Sequence, residues 1–211
     1  MFANELDNMI RTITIGREYG AGGGTVARLL SERLHWRLID DPLVAEIARS
    51  SRASAEEIRA HEECVDPWFH RIVRALWHGG FEGSVARTEN DAPDADAIAK
   101  LWNRVIVEAA EIGECVIVGR GAQCLLQKRK DAFHVYLYAP MRDKVARLKD
   151  REPAGRDLAT VARERDRRRT EYIRHYFNQD WVNPHLYDMM LCSHNGIERA
   201  AEAILCAAGL R

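Results

Sequence analysis

The sequence predicts a three-layer α/β/α fold built on a five-stranded parallel sheet, because three patterns in the chain agree. Short apolar runs alternate with amphipathic helical repeats, which is typical of parallel strands joined by helical crossovers. The strand candidates are almost continuously apolar, as expected for a sheet that is covered on both faces. A glycine-rich segment joins the first strand to the first helix. The length of 211 residues suits one such domain, spanning 1–211.

The strands and the first helices can be placed from these patterns. The first helix is predicted over Thr25–Leu34, because Val26 and Leu30 recur on one face of a helical repeat. The helix after the second strand is predicted to begin at Pro42, since proline is tolerated in a first helical turn. The predicted strands are Thr12–Ile15, Trp36–Ile39, Cys115–Val118, Phe133–Tyr138 and Met189–Cys192.

A long helical segment, residues 42–113, separates the second strand from the third. Further helices are predicted there over Ala55–Cys64, Pro67–His78 and Ala95–Ile112. A polar stretch rich in glycine, aspartate and proline, Gly79–Asp94, predicts a mobile loop. The segment either forms an acceptor-binding insertion or packs as ordinary helices against the sheet, and the pattern favours neither reading.

Composition narrows the class of partner. The formal net charge is −1, so the totals do not indicate a nucleic-acid-binding protein. No apolar run approaches the roughly 18 residues that a membrane-spanning helix needs. The first residues lack the apolar core of a signal peptide, and the five cysteines are dispersed like reduced thiols. We expect a cytoplasmic protein with no nucleic-acid or membrane partner, and the oligomeric state stays open.

The most specific motif is the glycine-rich segment G-R-E-Y-G-A-G-G-G-T, residues 16–25. Glycines between a strand and a helix allow backbone amides to approach and surround a phosphate, which the helix dipole also attracts. The alternative is a plain glycine-rich turn. The residues predicted to bind a nucleotide's phosphates are Gly20, Ala21, Gly22, Gly23, Gly24 and Thr25, and the Thr25 hydroxyl is also a candidate Mg²⁺ ligand.

This loop departs from the common pattern G-x-x-x-x-G-K-[ST] at two positions. Arg17 stands at the first glycine, and Gly23 stands at the lysine. The lysine normally carries positive charge to the β- and γ-phosphates. Arg17 is the nearest cation, so we hypothesise that its guanidinium replaces the lysine.

The loop and three later segments share a family signature. The run G-R-E-Y-G-A-G-G over Gly16–Gly23 is similar to S-R-E-Y-G-S-G-G of the cytidylate kinase-like family, whose loop also lacks the lysine. The other segments resembling that family are Leu38–Asp41, Val116–Ala122 and a C-terminal set comprising Asp166–Arg169, Tyr172, Tyr176, Asp180–Trp181 and Tyr187–Asp188.

The resemblance implies a P-loop NTPase fold with an acceptor-binding helical region after strand 2 and an arginine-rich lid at about 150–185. It also implies ATP-dependent phosphorylation of CMP or dCMP with Mg²⁺. Two further departures leave the acceptor open. The turn after the third strand, Gly119–Gly121, lacks the acid that true cytidylate kinases carry there, and Asp40-Asp41-Pro42 with Glu46 replaces their Asp-Ser-Gly segment followed by an arginine. The alternatives are a kinase with a non-nucleotide acceptor and a catalytically weak nucleotide-binding or regulatory module.

Several arginines are candidates for charge stabilisation during phosphoryl transfer. Arg167 and Arg169 match the family's lid, which favours a lid over the alternative of a solvated helix surface carrying ion pairs. Arg120 follows a buried strand, so it faces either a ligand in the crevice or a backbone carbonyl. Arg147 resembles the arginine that packs on the ATP base in such kinases.

Two aspartates at the end of the second strand complete the set of candidate site residues. Either one could bind Mg²⁺ through water or orient an acceptor, and either could cap the helix at Pro42. We favour Asp40 as the substrate and metal ligand and Asp41 as the helix cap.

Overall fold

A computed structural model describes residues 9–50, 72 and 95–210. Its centre is a sheet of five parallel strands in the order β2-β3-β1-β4-β5, flanked by helices. The strands are β1 (Thr12–Arg17), β2 (Arg37–Ile39), β3 (Cys115–Val118), β4 (Ala132–Tyr138) and β5 (Met189–Cys192). The α/β fold with a five-stranded parallel sheet, predicted from the sequence, is confirmed.

The helices within the described ranges are α1 (Gly23–Leu34), α2 (Asp41–Ser50), α3 (Ala95–Ile112), α4 (Ala122–Leu125), α5 (Met141–Leu148), α6 (Leu158–Phe177) and α7 (Ile197–Ala207). Two 3-10 turns, Pro184–Leu186 and Ser193–Asn195, flank β5. Apart from Ile72, which is helical and buried, the predictions for residues 55–64, 67–78 and 79–94 lie outside the described residues.

Strand β1 lies in the middle of the sheet and carries the glycine loop at its carboxyl end. It pairs with β3 on one side, where Ile15 is in register with Val118, and with β4 on the other, where Arg17 is in register with Leu137. The chain passes from one side of β1 to the other between β3 and β4. The carboxyl ends of strands at such a reversal form the usual ligand crevice of an open α/β sheet.

Strand β1 is buried in the core of the sheet. Ile13 and Ile15 are fully buried in a cluster with apolar residues of α1, β3, β4 and α7. On the other side, an aromatic cluster built on Tyr136 and Trp181 packs against α6. Thr14 is also fully buried, and its hydroxyl lies 2.8 Å from Nδ1 of His134. Because these β1 side chains are buried, the position at which the glycine loop follows β1 is fixed.

The chain divides into two compact units. One comprises residues 1–38 and 113–211, and the other comprises residues 39–112. The first unit contains the glycine loop, the arginine-rich helix α6 and strands β1, β3, β4 and β5. In the second, α2 packs against α3. No helix within the described ranges is both long and apolar enough to cross a membrane.

Candidate functional site

The glycine loop has the backbone of an anion-binding turn. Gly20 and Gly22 adopt positive φ angles of 83° and 84°, which side chains disfavour, and α1 begins at Gly23, two residues earlier than predicted. The amides of Thr25 and Val26 both donate to the carbonyl of Gly22. Gly23 and Gly24 lie in the first turn of α1, where the amides of an α-helix lack intrahelical partners. Among the described residues, no acceptor forms a hydrogen bond with these two amides. These amides can bind an anion.

Arg17 explains why two nearby positions are glycine. A Cβ atom added to Gly23 would lie 2.6 Å from both Cβ and Cγ of Arg17. A Cβ atom on Gly119 would overlap Nη1 of the same side chain. The arginine therefore runs from the end of β1 past the start of α1 to the turn after β3. Its stem occupies the space that a side chain at position 23 would need.

The turn that carries Arg120 is unusual in its backbone. Gly119, Arg120 and Gly121 have successive positive φ angles of 75°, 57° and 77°. For a residue with a Cβ atom, this conformation costs roughly 1–2 kcal/mol. The amide of Gly119 donates to the carbonyl of Ile15, which joins the turn to β1 directly before the loop. Backbone strain beside a loop of this kind is typical of functional sites.

The arginine-rich helix α6 meets the loop through one of its faces. Arg169 Nη1 donates to the carbonyl oxygen of Arg17 over 2.9 Å. The guanidinium carbons of Arg169 and Arg165 lie 5.4 and 5.7 Å from the ring centroid of Tyr19. Arg167 lies on a different face, where its side chain is 71% exposed and pairs with Glu171 at 3.7 Å. Of the two predicted lid arginines, the structure brings Arg169 to the loop and leaves Arg167 in solvent.

A buried lysine was not identified from the sequence. Lys144 is only 4% exposed, and its Nζ lies 2.7 Å from Oδ2 of Asp166 and 3.2 Å from Oε2 of Glu18. The signal was present, because Lys144 shares a face of α5 with Met141 and Leu148, at spacings of three and four residues. A charged residue on the apolar face of a helix indicates a buried ion pair.

Arg147 is bound along its edge. Nη1 donates to the carbonyl of Gly20 over 3.3 Å and to Oγ of Ser193 over 2.9 Å, and Nη2 donates to the Ser193 carbonyl over 2.8 Å. Ser193 is fully buried and donates to the carbonyl of Ala21. A guanidinium held in this way can still stack through its planar faces. Ser193 thus supports both the loop and the arginine, a role that sequence patterns did not suggest.

The hydroxyl of Tyr19 is held at the same place. It donates a hydrogen bond to Oε1 of Glu152, and burial together with this bond raises the pKa of Tyr19 above its usual value. The tyrosine is therefore neutral across the physiological pH range. Its ring and its backbone amide both face α6, since the amide donates to Oδ1 of Asp166 over 2.6 Å.

The candidate metal ligands fit Mg²⁺ in type. Thr25 presents a hydroxyl in the first turn of α1, where it accepts a long hydrogen bond of 3.4 Å from Arg151. The described residues hold no group of three or more acids, histidines and cysteines that could bind a metal ion. Mg²⁺ usually takes one or two protein ligands together with substrate phosphates.

Asp40, and not Asp41, caps the start of helix α2. Its Oδ1 accepts the amide of Leu43 over 3.3 Å, whereas Asp41 is the first residue of α2. The prediction that Asp41 caps this helix was therefore wrong. The helix begins one residue earlier than the proline suggested, so the side chain of Asp40 stands at the capping position.

Comparisons with known proteins agree with the fold. A model described as the cytidylate kinase-like family matches residues 12–195. No curated protein matches the chain. An uncharacterized protein from Eubacterium ventriosum has a solved structure that is 22% identical, with a TM-score of 0.67, over 96% of this chain and 100% of its own.

Two solved shikimate kinases are also similar. The enzyme from Acinetobacter baumannii, in complex with shikimate, is 19% identical, with a TM-score of 0.50, over 95% of this chain and 94% of its own. The enzyme from Bacteroides thetaiotaomicron is 16% identical, with a TM-score of 0.51, over 94% of this chain and 98% of its own. At these identities the similarity establishes the fold, which these kinases share.

Proposed function

The chain belongs to the cytidylate kinase-like family, and on that premise we propose that it transfers a phosphoryl group from ATP to a small-molecule acceptor. The first-choice acceptor is a nucleoside monophosphate of the CMP or dCMP kind. In this reaction the bond between the γ-phosphorus and the bridging oxygen breaks, a bond to an acceptor oxygen forms, and ADP leaves. Such transfer depends on positioning and positive charge rather than on covalent help from the protein.

The observation that carries the proposal is the convergence of arginine-bearing elements on the glycine loop. Arg17 begins the loop, and its guanidinium lies against the turn that holds Arg120. Arg169 is bonded to the carbonyl of Arg17. Fixed cations around a backbone nest are suited to stabilise the charge on a phosphoryl group in transfer. We assign Arg17, Arg120 and Arg169 to this role.

Arg17 also offers a solution to the missing lysine. Its stem fills the space beside Gly23, so the two positions cannot both carry long side chains without rearrangement. We infer that the loop's cation is supplied from the end of β1 instead of from the start of α1. A guanidinium binds phosphate oxygens through two parallel hydrogen bonds, which an ammonium group cannot do.

The remaining nucleotide contacts follow from the loop. The amides of Gly22, Gly23 and Gly24 are suited to the phosphates, and the planar face of Arg147 is suited to the base. The hydroxyl of Thr25 would hold Mg²⁺. When bound, the ion would neutralise charge on the β- and γ-phosphates.

A different acceptor is the second candidate function. In true cytidylate kinases the segment after the second strand carries an arginine toward the monophosphate, whereas this chain has Glu46 in that segment and an aspartate, Asp40, that caps α2. A carboxylate in place of a cation disfavours a doubly charged phosphate acceptor. An acceptor that offers a hydroxyl, of the kind bound in the shikimate complex, is compatible with that change.

The decisive experiment measures ADP release from Mg²⁺-ATP by the purified protein. CMP, dCMP, UMP, AMP, shikimate and a reaction without acceptor are run in parallel. Arg120→Ala and Arg169→Ala are expected to lower turnover by about a hundredfold or more. Arg33→Ala is the matched control, because Arg33 lies in the last turn of α1, about 15 Å from the loop. It should leave turnover within about twofold.

The outcomes separate the alternatives. Acceptor-dependent ADP release that the two arginine variants lose supports a kinase and selects its substrate class. ATP binding without turnover on any acceptor supports a regulatory nucleotide-binding module, which the loss of the loop lysine also favours. A protein that fails to bind ATP contradicts both readings, and the family would then describe only the fold.

A further inference from the structure

Lys144 occupies an unusual position for a lysine. Its side chain is 5% exposed, although lysine is almost never fully buried without a partner. A buried ammonium group is tolerated when opposite charges and hydrogen bonds compensate for its lost hydration. Here the compensation comes from two carboxylates on separate elements, Glu18 in the glycine loop and Asp166 in the middle of α6.

Each carboxylate has a second task at the loop. Oε2 of Glu18 also accepts the amide of Ala139 over 3.1 Å, which ties the loop to the turn between β4 and α5. Oδ1 of Asp166 accepts the amide of Tyr19 over 2.6 Å and lies 3.4 Å from Nη1 of Arg169. Lys144 binds the other oxygen of Asp166. Two negative groups and two positive groups therefore balance in one connected network.

The network fixes how the arginine-rich helix meets the loop. Asp166 bridges a loop amide and the lysine, while Arg169, one turn later, reaches the carbonyl of Arg17. Without the lysine, Glu18 and Asp166 would lose the ammonium group between them, and Arg169 would be left to balance two carboxylates. Repulsion would then act on Asp166, and through it on Arg169.

We propose that Lys144 is a positioning residue for phosphoryl transfer, because it neutralises Glu18 and Asp166 and thereby holds Arg169 on the loop. This inference rests on the proposed function. Lys144 does not touch the substrate, since its ammonium group is buried between the two carboxylates. It acts through Asp166 on the arginine, so its loss should reduce turnover more than nucleotide affinity.

The test compares Lys144→Met with Lys149→Met. Lys149 is the residue directly after α5 and is exposed, so its substitution controls for the loss of one lysine from the same part of the chain. We expect Lys144→Met to lower kcat by about tenfold to a hundredfold with a much smaller change in KM for ATP. We expect Lys149→Met to stay within about twofold of the parent protein. Lys144→Arg, which keeps the charge, should recover part of the loss.

A second variant separates positioning from a purely structural role. Lys144→Met combined with Asp166→Asn removes the uncompensated charge, so the melting temperature should rise relative to Lys144→Met alone. The kcat value should stay low, because a neutral side chain no longer orients Arg169. Recovery of kcat together with the melting temperature would overturn the inference, since Lys144 would then act only through stability.

Hydrogen exchange in the absence of nucleotide keeps this test apart from the test of the kinase proposal. Lys144→Met should accelerate exchange at the Tyr19 amide and in residues 158–177, and Lys149→Met should not. Asp166→Asn should show the same acceleration and serves if Lys144→Met does not fold. Unchanged exchange overturns the inference whether or not an acceptor has been found. If Lys144→Met accelerates exchange as expected but the parent protein shows no turnover, the kinase proposal is contradicted instead.

Discussion

The contact between Arg17 and Gly23 yields a prediction in which sterics and chain propensity oppose each other. Gly23 begins α1 and has no positive φ angle, so alanine there would ordinarily stabilise the protein by about 0.4–1 kcal/mol. The new Cβ atom, however, would lie 2.6 Å from Cβ and Cγ of Arg17. The Cβ atom of Arg17 is fixed by the backbone, so no side-chain rotation can move it away.

The steric term should win. Forcing an extra carbon into such a packed place costs typically about 1–3 kcal/mol. After subtraction of the propensity gain, Gly23→Ala should destabilise the protein by about 0.5–2 kcal/mol. For a chain of this size that corresponds to a melting temperature lower by about 1–8 °C. Gly24→Ala is the matched control, because a Cβ atom added there would meet no side chain within 4 Å.

A double-mutant cycle identifies the cause. Arg17→Gly removes both clashing carbons, so in that background Gly23→Ala should be neutral or slightly stabilising. The coupling between the two sites should then be about 1–3 kcal/mol, well above the roughly 0.5 kcal/mol expected for independent sites. Thermal melts followed by circular dichroism give the four values. Equal effects of Gly23→Ala and Gly24→Ala, or an additive cycle, would refute the steric account.

The same contact has a functional counterpart. Arg17→Gly together with Gly23→Lys restores the common lysine-bearing loop pattern at both positions. If Arg17 supplies the loop's cation, Arg17→Gly alone should weaken ATP binding, and the combined variant should recover it. Gly23→Lys alone should fold poorly, because both long side chains compete for one space. Unchanged ATP binding in Arg17→Gly alone would contradict the assignment of Arg17 as the loop's cation.

Three further predictions concern single residues. Gly121→Ala should destabilise the protein more than Gly155→Ala, because both have positive φ angles but only the first Cβ would overlap an aromatic ring, that of Phe177; equal melting temperatures would contradict this. Burial lowers the pKa of His134 below its usual value of 6.5, so the folded state binds fewer protons than the unfolded state. The free energy of unfolding should therefore fall as the pH drops below about 6.5 and level off beneath the folded-state pKa. Urea titrations from pH 5 to 8 should show this slope, and His134→Gln should abolish it. Burial raises the pKa of Cys124 to about 11, so the exposed Cys206 should be alkylated first at pH 8, as peptide mapping would reveal.

The elements that the sequence predicted well are those with strong local patterns. Strands β3 and β5 and helix α3 have the predicted bounds, since each is a continuous apolar or periodic run between polar ends. The boundaries that moved depend on backbone geometry. Helix α1 starts at Gly23 because Gly22 is left-handed, and α2 starts at Asp41 because Asp40 accepts a backbone amide. Neither feature has a distinct signature in one sequence.

The loop glycines could be recognised as phosphate-binding because strand, glycines and helix are adjacent in the chain. The network that supports the loop could not, because its contacts join residues far apart in sequence, such as Tyr19 and Asp166. The sequence of this helix gave Arg167 and Arg169 as candidates but no reason to prefer one of them. Asp166 binds the loop amide of Tyr19, so this face of the helix meets the loop. Arg169 lies on that face and binds the carbonyl of Arg17, whereas Arg167 is exposed to solvent.

The departures from the lysine-bearing loop are therefore better understood as one coordinated change than as decay. Arg17 fills the space beside Gly23, and its guanidinium requires a glycine at position 119. Arg169 in turn binds the carbonyl of Arg17, and a buried lysine holds the acid that orients it. A loop that had lost its ligand would have no physical need for a buried ion network around its backbone, since such networks contribute little to stability by themselves. Their presence argues that the geometry of the loop is being maintained for a charged ligand.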